Sequence, residues 1–193
     1  MYKQIFLKRG KEESLKRFHP WIFSGAIHHM DEGIEEGETV RVITAAGEFI
    51  AVGHYQIGSI AVRVLSFEDI EINTDFWCER LQSALDVRIG VGIADSPTNN
   101  TYRLVHGEGD YLPGLVIDCY GSTAVMQAHS VGMHVCRNEI CQALVQVMGD
   151  RIANVYYKSE TTLPYKADLH QENGFLVGGD ASNVAMENGL KFH

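Results

Sequence analysis

The stretch Arg103–Gly121 encodes a strand, a turn and a second strand near the middle of the 193-residue chain. The apolar pair Leu104-Val105 opens the first strand, and Leu115-Val116-Ile117 forms the second. Between them, Pro113-Gly114 suits the two central positions of a type II turn, because proline presets φ and glycine tolerates positive φ. This stretch therefore predicts a hairpin inside an α+β core.

Short strands at a spacing of about ten residues dominate the first third of the chain. Tyr2–Lys8 alternates apolar and polar residues, and three further runs follow between residues 39 and 65, separated by glycine-containing turns. Such a pattern is typical of a small β-barrel. The acidic stretch 68–74 has the composition of a loop, so we place the end of this first domain at about residue 72.

Two long helices are predicted in the second part of the chain. Phe76–Ile89 and Val131–Met148 carry apolar residues at helical spacing. Asn73 or Thr74 can cap the first of these helices. Strands lie between and after the helices, and the last two flank Asn188-Gly189, a strong hairpin signal. The second domain is therefore expected to be α+β.

Two sequence blocks carry a family resemblance: LKRGKEESLKRFHPWIFSGAI at Leu7–Ile27 and RLVHGEGDYLPGLVIDCYG at Arg103–Gly121. In this order and at this distance, they resemble the large-subunit rRNA methyltransferase I-like family. Members of that family are S-adenosylmethionine-dependent RNA cytosine-5 methyltransferases with an N-terminal PUA domain, a small central domain and a C-terminal Rossmann-like catalytic domain. The resemblance implies an α+β protein: a PUA-like β pseudobarrel at 1–72, then a small α+β domain with mixed strands and two helices at 73–193.

The resemblance also implies that the cofactor-binding and catalytic part lies outside these residues. Glu187–Phe192, ENGLKF, resembles the hairpin that precedes the catalytic domain of the family. No G-x-G-x-x-G loop follows a strand and opens a helix, and the glycine-rich Gly174–Asp180 lacks the ending of a phosphate loop. We therefore expect S-adenosylmethionine to be bound by a missing C-terminal domain, assign no catalytic or cofactor-binding residue, and expect this chain alone to be inactive.

Charge is distributed unevenly along the chain. The net charge is −9, which argues against a generally basic coat, yet residues 1–29 carry six Lys/Arg against two acids, a net +4. A short helix predicted at Lys11–Phe18 would hold part of this charge. A solvated charged face is the alternative interpretation. With the resemblance, we predict that five residues contact RNA phosphates: Lys8, Arg9, Lys11, Lys16 and Arg17.

The neighbouring aromatic residues Trp21 and Phe23 are expected to pack in the core, unlike the basic residues, which are expected to contact RNA. Exposed aromatic side chains could stack on RNA bases. Alternation along the strand that follows Pro20 instead suggests that both point into the barrel core.

Neither metal binding nor catalysis is expected from the remaining chemistry-bearing residues. The four cysteines form no C-x-x-C pair and are interpreted as buried free thiols, and Cys136 and Cys141 with His129 and His134 match no zinc spacing. Adjacent residues such as His28 and His29 point to opposite faces of a strand and are poorly placed to share an ion. Turn residues of the central hairpin more often bond their own backbone than catalyse: His106, Glu108, Asp110 and Asp118.

Two functions from different classes remain open. The first is the RNA-binding portion of an rRNA (cytosine-5) methyltransferase, with ribosomal RNA as partner. The second is a self-standing RNA-binding or assembly module without enzymatic activity. A third, a small-molecule hydrolase, lacks a nucleophile and base set. No signal peptide and no apolar run of the ~18 residues that span a bilayer occur, so we expect a cytoplasmic protein with no membrane contact. The sequence leaves open whether the chain forms a homo-oligomer.

Overall fold

The computed structural model describes residues 2–164, 169, 172–179 and 184–192. Its contacts divide the chain into two compact units. The first unit comprises residues 2–72 and 130–135, and the second comprises residues 73–129 and the described residues from 136 onward. The division of the protein into domains at residue 72 stays a prediction.

Six strands build the first unit. They are β1 (Lys3–Leu7), β2 (Trp21–Phe23), β3 (Ile27–Met30), β4 (Thr39–Ile43), β5 (Phe49–Tyr55) and β6 (Ile60–Ser66).

These strands form one sheet in the order β2-β6-β5-β4-β1-β3, so β2 and β3 are its edges. All neighbours are antiparallel except β1 and β4, which run parallel. Alternation places one face of each strand in a shared core: Ile5 and Leu7 of β1 are buried there with Val40 and Val42 of β4. The expected pseudobarrel is thus a curled, open sheet that packs around a small apolar core.

Three α-helices and seven strands follow among the described residues. They are α1 (Thr74–Gly90), β7 (Thr101–His106), β8 (Leu115–Tyr120), β9 (Thr123–Ala128), α2 (Val131–Val135), α3 (Arg137–Met148), β10 (Asn154–Tyr157), β11 (Gly174–Val177), β12 (Ala185–Glu187) and β13 (Leu190–Phe192).

The second unit combines a mixed sheet with two long helices. Its strand order is β11-β10-β9-β8-β7, and only β9 and β10 are parallel. Helix α1 packs against α3 and β7, and its buried residues include Trp77, Leu81 and Leu85. Asn73 caps α1 as expected, because its Oδ1 accepts a hydrogen bond of 3.0 Å from the Phe76 N–H. The α+β class and the mixed strands are confirmed.

Both predicted turns have the expected backbone. The Leu115 N–H donates to the Leu112 carbonyl at 3.0 Å, and Gly114 has φ +87°. Asn188 and Gly189 have φ +52° and +79°, as a two-residue hairpin loop between β12 and β13 requires.

The prediction of a single helix at Val131–Met148 is wrong. The helical stretch is interrupted at Cys136, where φ is −81° and ψ is 4°, so that α2 and α3 are separate helices. The two helices belong to different compact units. Apolar residues continue at helical spacing through the break, so the sequence pattern does not reveal it.

The predicted helix at Lys11–Phe18 is also shorter than expected. Only Leu15–Arg17 forms a single 3₁₀ turn, which ends at Phe18 in the left-handed region with φ +61°. Leu15 is the one buried residue of this turn, so packing holds no more than about one turn in place.

Helix α2 completes the first unit from a distant part of the sequence. The Val131 N–H donates to Gln56 Oε1 at 3.2 Å, and Gly132 lies against the buried His54 ring. The side chains of Val131 and Val135 cover Gly37, where a Cβ would lie 3.0 Å from each of them. These contacts anchor the C-terminal end of β5 and the acidic loop before β4.

Candidate nucleic-acid interface

The five predicted RNA-contact residues all lie in the first unit, in the connection between β1 and β2. Their side chains are all exposed. The chain leaves β1 through a turn in which the Lys8 N–H donates to the Ala26 carbonyl at 2.9 Å and the Lys11 N–H donates to the Lys8 carbonyl at 3.1 Å. Lys16 and Arg17 follow on the 3₁₀ turn. The basic residues are therefore held by a tight connection at one end of the sheet.

These five side chains differ in their existing partners. Lys8 Nζ donates to the Gly25 carbonyl at 3.0 Å. Lys16 Nζ donates to Glu13 Oε1 at 2.8 Å, and this hydrogen bond raises the pKa of Lys16 and lowers the pKa of Glu13. Within the described ranges, Arg9, Lys11 and Arg17 form no side-chain hydrogen bond or ion pair. Those three cations can meet a phosphate without giving up a protein contact.

Trp21 and Phe23 do not point into the core, contrary to expectation. Ile22 is the buried residue of β2, with 3% exposure, whereas Phe23 is 50% exposed and Trp21 is half-buried. Consecutive residues of a strand face opposite sides, so placing Ile22 inward turns both aromatic rings outward. All three residues are large and apolar, and the sequence pattern alone could not identify the inward one.

The outward rings form an aromatic cluster with a third residue, His19. The ring centroids of Trp21 and Phe23 are 6.4 Å apart at an interplanar angle of 89°. The His19 ring lies 5.9 Å from Trp21 and 6.3 Å from Phe23. The Trp21 N–H donates to His19 Nδ1 at 3.2 Å, which fixes the imidazole beside the indole. Sequence analysis missed His19, whose only signal was its place directly before Pro20.

Two grooves flank the basic connection. The smaller one, of about 300 Å³, is lined by Lys11, Leu15, Trp21, Phe23 and Gly25, among others. The larger one, of about 660 Å³, is lined by Lys8, Arg9, Phe6, His28 and His29 together with the turn between β4 and β5. Cationic and aromatic side chains thus share the walls of both grooves.

His28 and His29 lie on the edge strand β3. The ring of His29 stacks on Phe6 with centroids 4.3 Å apart and an angle of 8°, and the ring of His28 meets His29 edge-on at 5.1 Å. No cluster of three or more His, Cys, Asp or Glu suited to a metal ion occurs in the part of the chain that the structure describes. The stacked geometry assigns these rings to an aromatic surface.

The polar residues of the central hairpin form ion pairs within the second unit. Arg88 and Asp110 make two hydrogen bonds, one of them 2.8 Å long between Nη2 and Oδ2, and both side chains are largely buried. Asp110 also accepts a hydrogen bond of 2.6 Å from the His106 N–H. Arg103 binds Asp118 through two hydrogen bonds of 2.8 and 3.0 Å. Asp110 thus ties the turn to helix α1, and Asp118 ties β8 to β7.

The cysteines are poorly suited to nucleophilic chemistry. Cys119 and Cys141 are buried, and Cys78 and Cys136 are half-buried. Burial raises the pKa of Cys119 and of Cys136 to about 12 in each case. The reactive thiolate form is therefore disfavoured at neutral pH.

The glycine-rich segment is used internally rather than as a ligand cradle. A Cβ on Gly178 would lie 2.1 Å from Asn154 Oδ1, and the Gly179 N–H donates to the same oxygen at 3.1 Å. Asp180, the last residue of this predicted segment, lies outside the described residues. Gly178 and Gly179 therefore pack against Asn154 and do not line an open cradle.

Comparison with known proteins relates the whole chain to one group of enzymes. Residues 5–67 match the PUA-like domain family. Ribosomal RNA large subunit methyltransferase I of Vibrio parahaemolyticus is 39% identical over 194 residues, which cover 99% of this chain and 48% of that protein. The enzymes of the same name from Aliivibrio fischeri and Klebsiella pneumoniae are 36% and 35% identical, over 99% and 92% of this chain and 48% and 44% of theirs. The chain thus spans about half the length of the curated relatives it matches.

Solved structures agree on the fold. A Streptococcus mutans protein described as a SAM-dependent methyltransferase superposes with a TM-score of 0.78 at 21% identity, over 98% of this chain and 47% of that one. A second solved structure, of a methyltransferase in complex with SAH, matches with the same score, identity and coverage. Among the helices that the structure describes, none is long and apolar enough to cross a membrane.

Proposed function

We propose that this chain belongs to the large-subunit rRNA methyltransferase I-like family and binds ribosomal RNA for methyl transfer to carbon 5 of a cytosine. The proposal is supported by the PUA-like match and by the similarity to relatives of which the chain spans about half the length. In this proposal the first unit supplies RNA affinity through Lys8, Arg9, Lys11, Lys16 and Arg17. The proposed location is the cytoplasm.

One observation carries the proposal. Arg9, Lys11 and Arg17 are exposed on one short connection of a PUA-like unit, and none of them forms an ion pair within the described residues. Exposed cations without an ion pair, close together in the sequence of a chain with net charge −9, are the footprint expected of a phosphate-contacting face. Phosphate contacts give affinity and orientation without reading sequence. The carboxylate of Glu13 already neutralises Lys16, so we expect Lys16 to contribute less than the other four.

Methyl transfer itself lies outside the described residues in this proposal. S-adenosylmethionine, when bound, supplies the electrophilic methyl group. Gly178 and Gly179 pack against Asn154, and burial disfavours the thiolate form of Cys119 and Cys136. We therefore expect calorimetry to detect no stoichiometric binding of S-adenosylmethionine by residues 1–193, and micromolar binding would contradict this part of the proposal.

Salt dependence of RNA binding tests the proposed interface. The triple variant Arg9→Ala/Lys11→Ala/Arg17→Ala should bind a single-stranded rRNA fragment more weakly and lower the slope of log K against log salt by about 0.7 for each phosphate that the variant no longer neutralises. The matched control is Lys158→Ala/Lys191→Ala, which removes exposed lysines of the second unit. An unchanged slope in the triple variant, or an equal decrease in the control, would contradict the proposed interface.

A further inference from the structure

The aromatic cluster of His19, Trp21 and Phe23 is a candidate recognition surface that the basic residues alone do not explain. Phe23 is 50% exposed. An exposed aromatic ring lacks the stabilisation that burial in the core would provide. The Phe23 ring and the Trp21 ring meet at 89°, so the two form a corner with one ring face and one ring edge. A flat aromatic ligand can stack on the face while its rim meets the edge.

The cluster is held rigidly before any ligand arrives. Strand β2 pairs with β6, and hydrogen bonds fix both of its ends: the Val64 N–H donates to the Pro20 carbonyl at 2.8 Å, and the Ser24 N–H donates to the Ser59 carbonyl at 2.9 Å. Ile22 anchors the middle of β2 in the core. A preorganised surface binds with a smaller loss of conformational entropy.

The cluster and the positive charge share one groove. Lys11 lines the 300 Å³ groove together with Trp21 and Phe23. Gly25 also lines this groove, and its carbonyl accepts a hydrogen bond from the Lys8 ammonium. Within the described residues, no aspartate or glutamate lines this groove. Charge complementarity thus favours a polyanion that carries flat apolar rings.

We propose that this groove binds an unpaired base of single-stranded RNA, which stacks on Phe23 and Trp21 while Lys8 and Lys11 contact the adjoining phosphates. The inference rests on the proposed RNA-binding function and deepens it by naming the form of RNA. A duplex hides its base faces in the helical stack and offers only phosphates and groove edges to such a surface. A single strand offers both phosphates and free base faces, the pairing of chemistries that single-strand binding proteins use.

Binding of two RNA probes by the full 193-residue chain tests this inference. The probes are an unstructured oligouridine and a self-complementary RNA duplex with the same number of phosphates, each titrated over a series of salt concentrations. We expect the single strand to bind more tightly than the duplex. Phe23→Ala should weaken single-strand binding about tenfold, within the range measured for removal of one base stack. The same change should leave duplex affinity and the salt slope unaltered, because it removes no charge.

Two controls separate stacking from general damage. Tyr120→Ala removes another exposed aromatic ring, 42% accessible and on β8 of the second unit, and should change neither affinity. Trp21→Leu keeps an apolar side chain on β2 and should weaken single-strand binding in the same direction as Phe23→Ala. Thermal melting curves that match the wild type establish that each variant is folded.

The outcomes distinguish this inference from the function on which it rests. Single-strand affinities within twofold of wild type for both folded Phe23→Ala and Trp21→Leu would overturn the stacking site, while retained, salt-dependent RNA binding would leave the proposed function standing. Equal binding of duplex and single strand would also overturn the inference. Failure of the wild-type chain to bind either RNA would overturn both.

Discussion

Gly132 of α2 lies directly against the ring of His54, so closely that a Cβ on residue 132 would be 2.2 Å from His54 Cγ. The ring is buried, with 1% exposure, and cannot swing into solvent to relieve the collision. We predict that Gly132→Ala destabilises the protein by about 2 kcal/mol, the range expected when overpacking shifts a core element. Urea unfolding measures the effect. The control is Gly90→Ala at the end of α1, where a Cβ meets nothing within 4 Å, and an equal destabilisation there would contradict this explanation.

Burial also sets the titration of His54. Desolvation, assisted by the nearby charge of Arg63, lowers its pKa from 6.5 to about 4 in the folded protein. The unfolded chain therefore binds the proton more readily, and stability should fall as the pH drops from about 6.5 towards 4. At pH 5 the expected decrease from this residue is about 2 kcal/mol relative to pH 7.

The measurement is the free energy of unfolding across this pH range in the wild type and in His54→Gln. Carboxylates also titrate at the lower end of the range, so the difference between the two proteins isolates His54. Parallel pH profiles for the two folded proteins would contradict the prediction.

The ion pair between Arg88 and Asp110 should contribute to stability because it is buried. The exposed fractions of the two side chains are 13% and 8%, so truncating one partner leaves a charge without its partner in a poorly solvated place. We expect Asp110→Ala to cost about 3 kcal/mol in unfolding free energy. Asp118→Ala is the matched change at the pair with Arg103, whose arginine is 45% exposed, and should cost less than about 1 kcal/mol. Similar costs for the two variants would argue against burial as the cause.

The backbone conformation at position 114 should require a glycine. Its φ of +87° lies in the left-handed region, where a Cβ raises the free energy by about 1–2 kcal/mol. Gly114→Ala should lower the melting temperature, whereas Gly109→Ala, where φ is not in that region and the nearest atom is 3.8 Å from the new Cβ, should have little effect. Calorimetric melting compares the two, and equal melting temperatures would show that the turn adapts.

Regular elements with local signals were predictable from the sequence. Helix α1 begins and ends within about two residues of expectation, because Asn73 caps it and its apolar face is regular. The hairpin of β7 and β8 follows from Pro113-Gly114 in the same way. Each of these depends on residues close together in the chain.

Features set by tertiary contacts were not predictable. Trp21, Ile22 and Phe23 are all apolar, so nothing in their order tells which side of β2 faces the core. The break at Cys136 separates helices of two different units, and the apolar spacing of the sequence gives no sign of it. Lys11 and Phe23 line the same groove, and only the pairing of β2 with β6 places Phe23 there.

The position of α2 has a consequence for the order of folding during synthesis. Val131 donates to Gln56, and α2 covers His54 and Gly37, yet more than sixty residues separate β6 from α2. A ribosome releases about 5–20 residues each second, so the strands of the first unit wait several seconds for their last element. During that interval the surface around His54 and Gly37 stays uncovered. The second unit's hairpin of β7 and β8 is complete before α2 emerges, so closure of the first unit follows synthesis of much of the second.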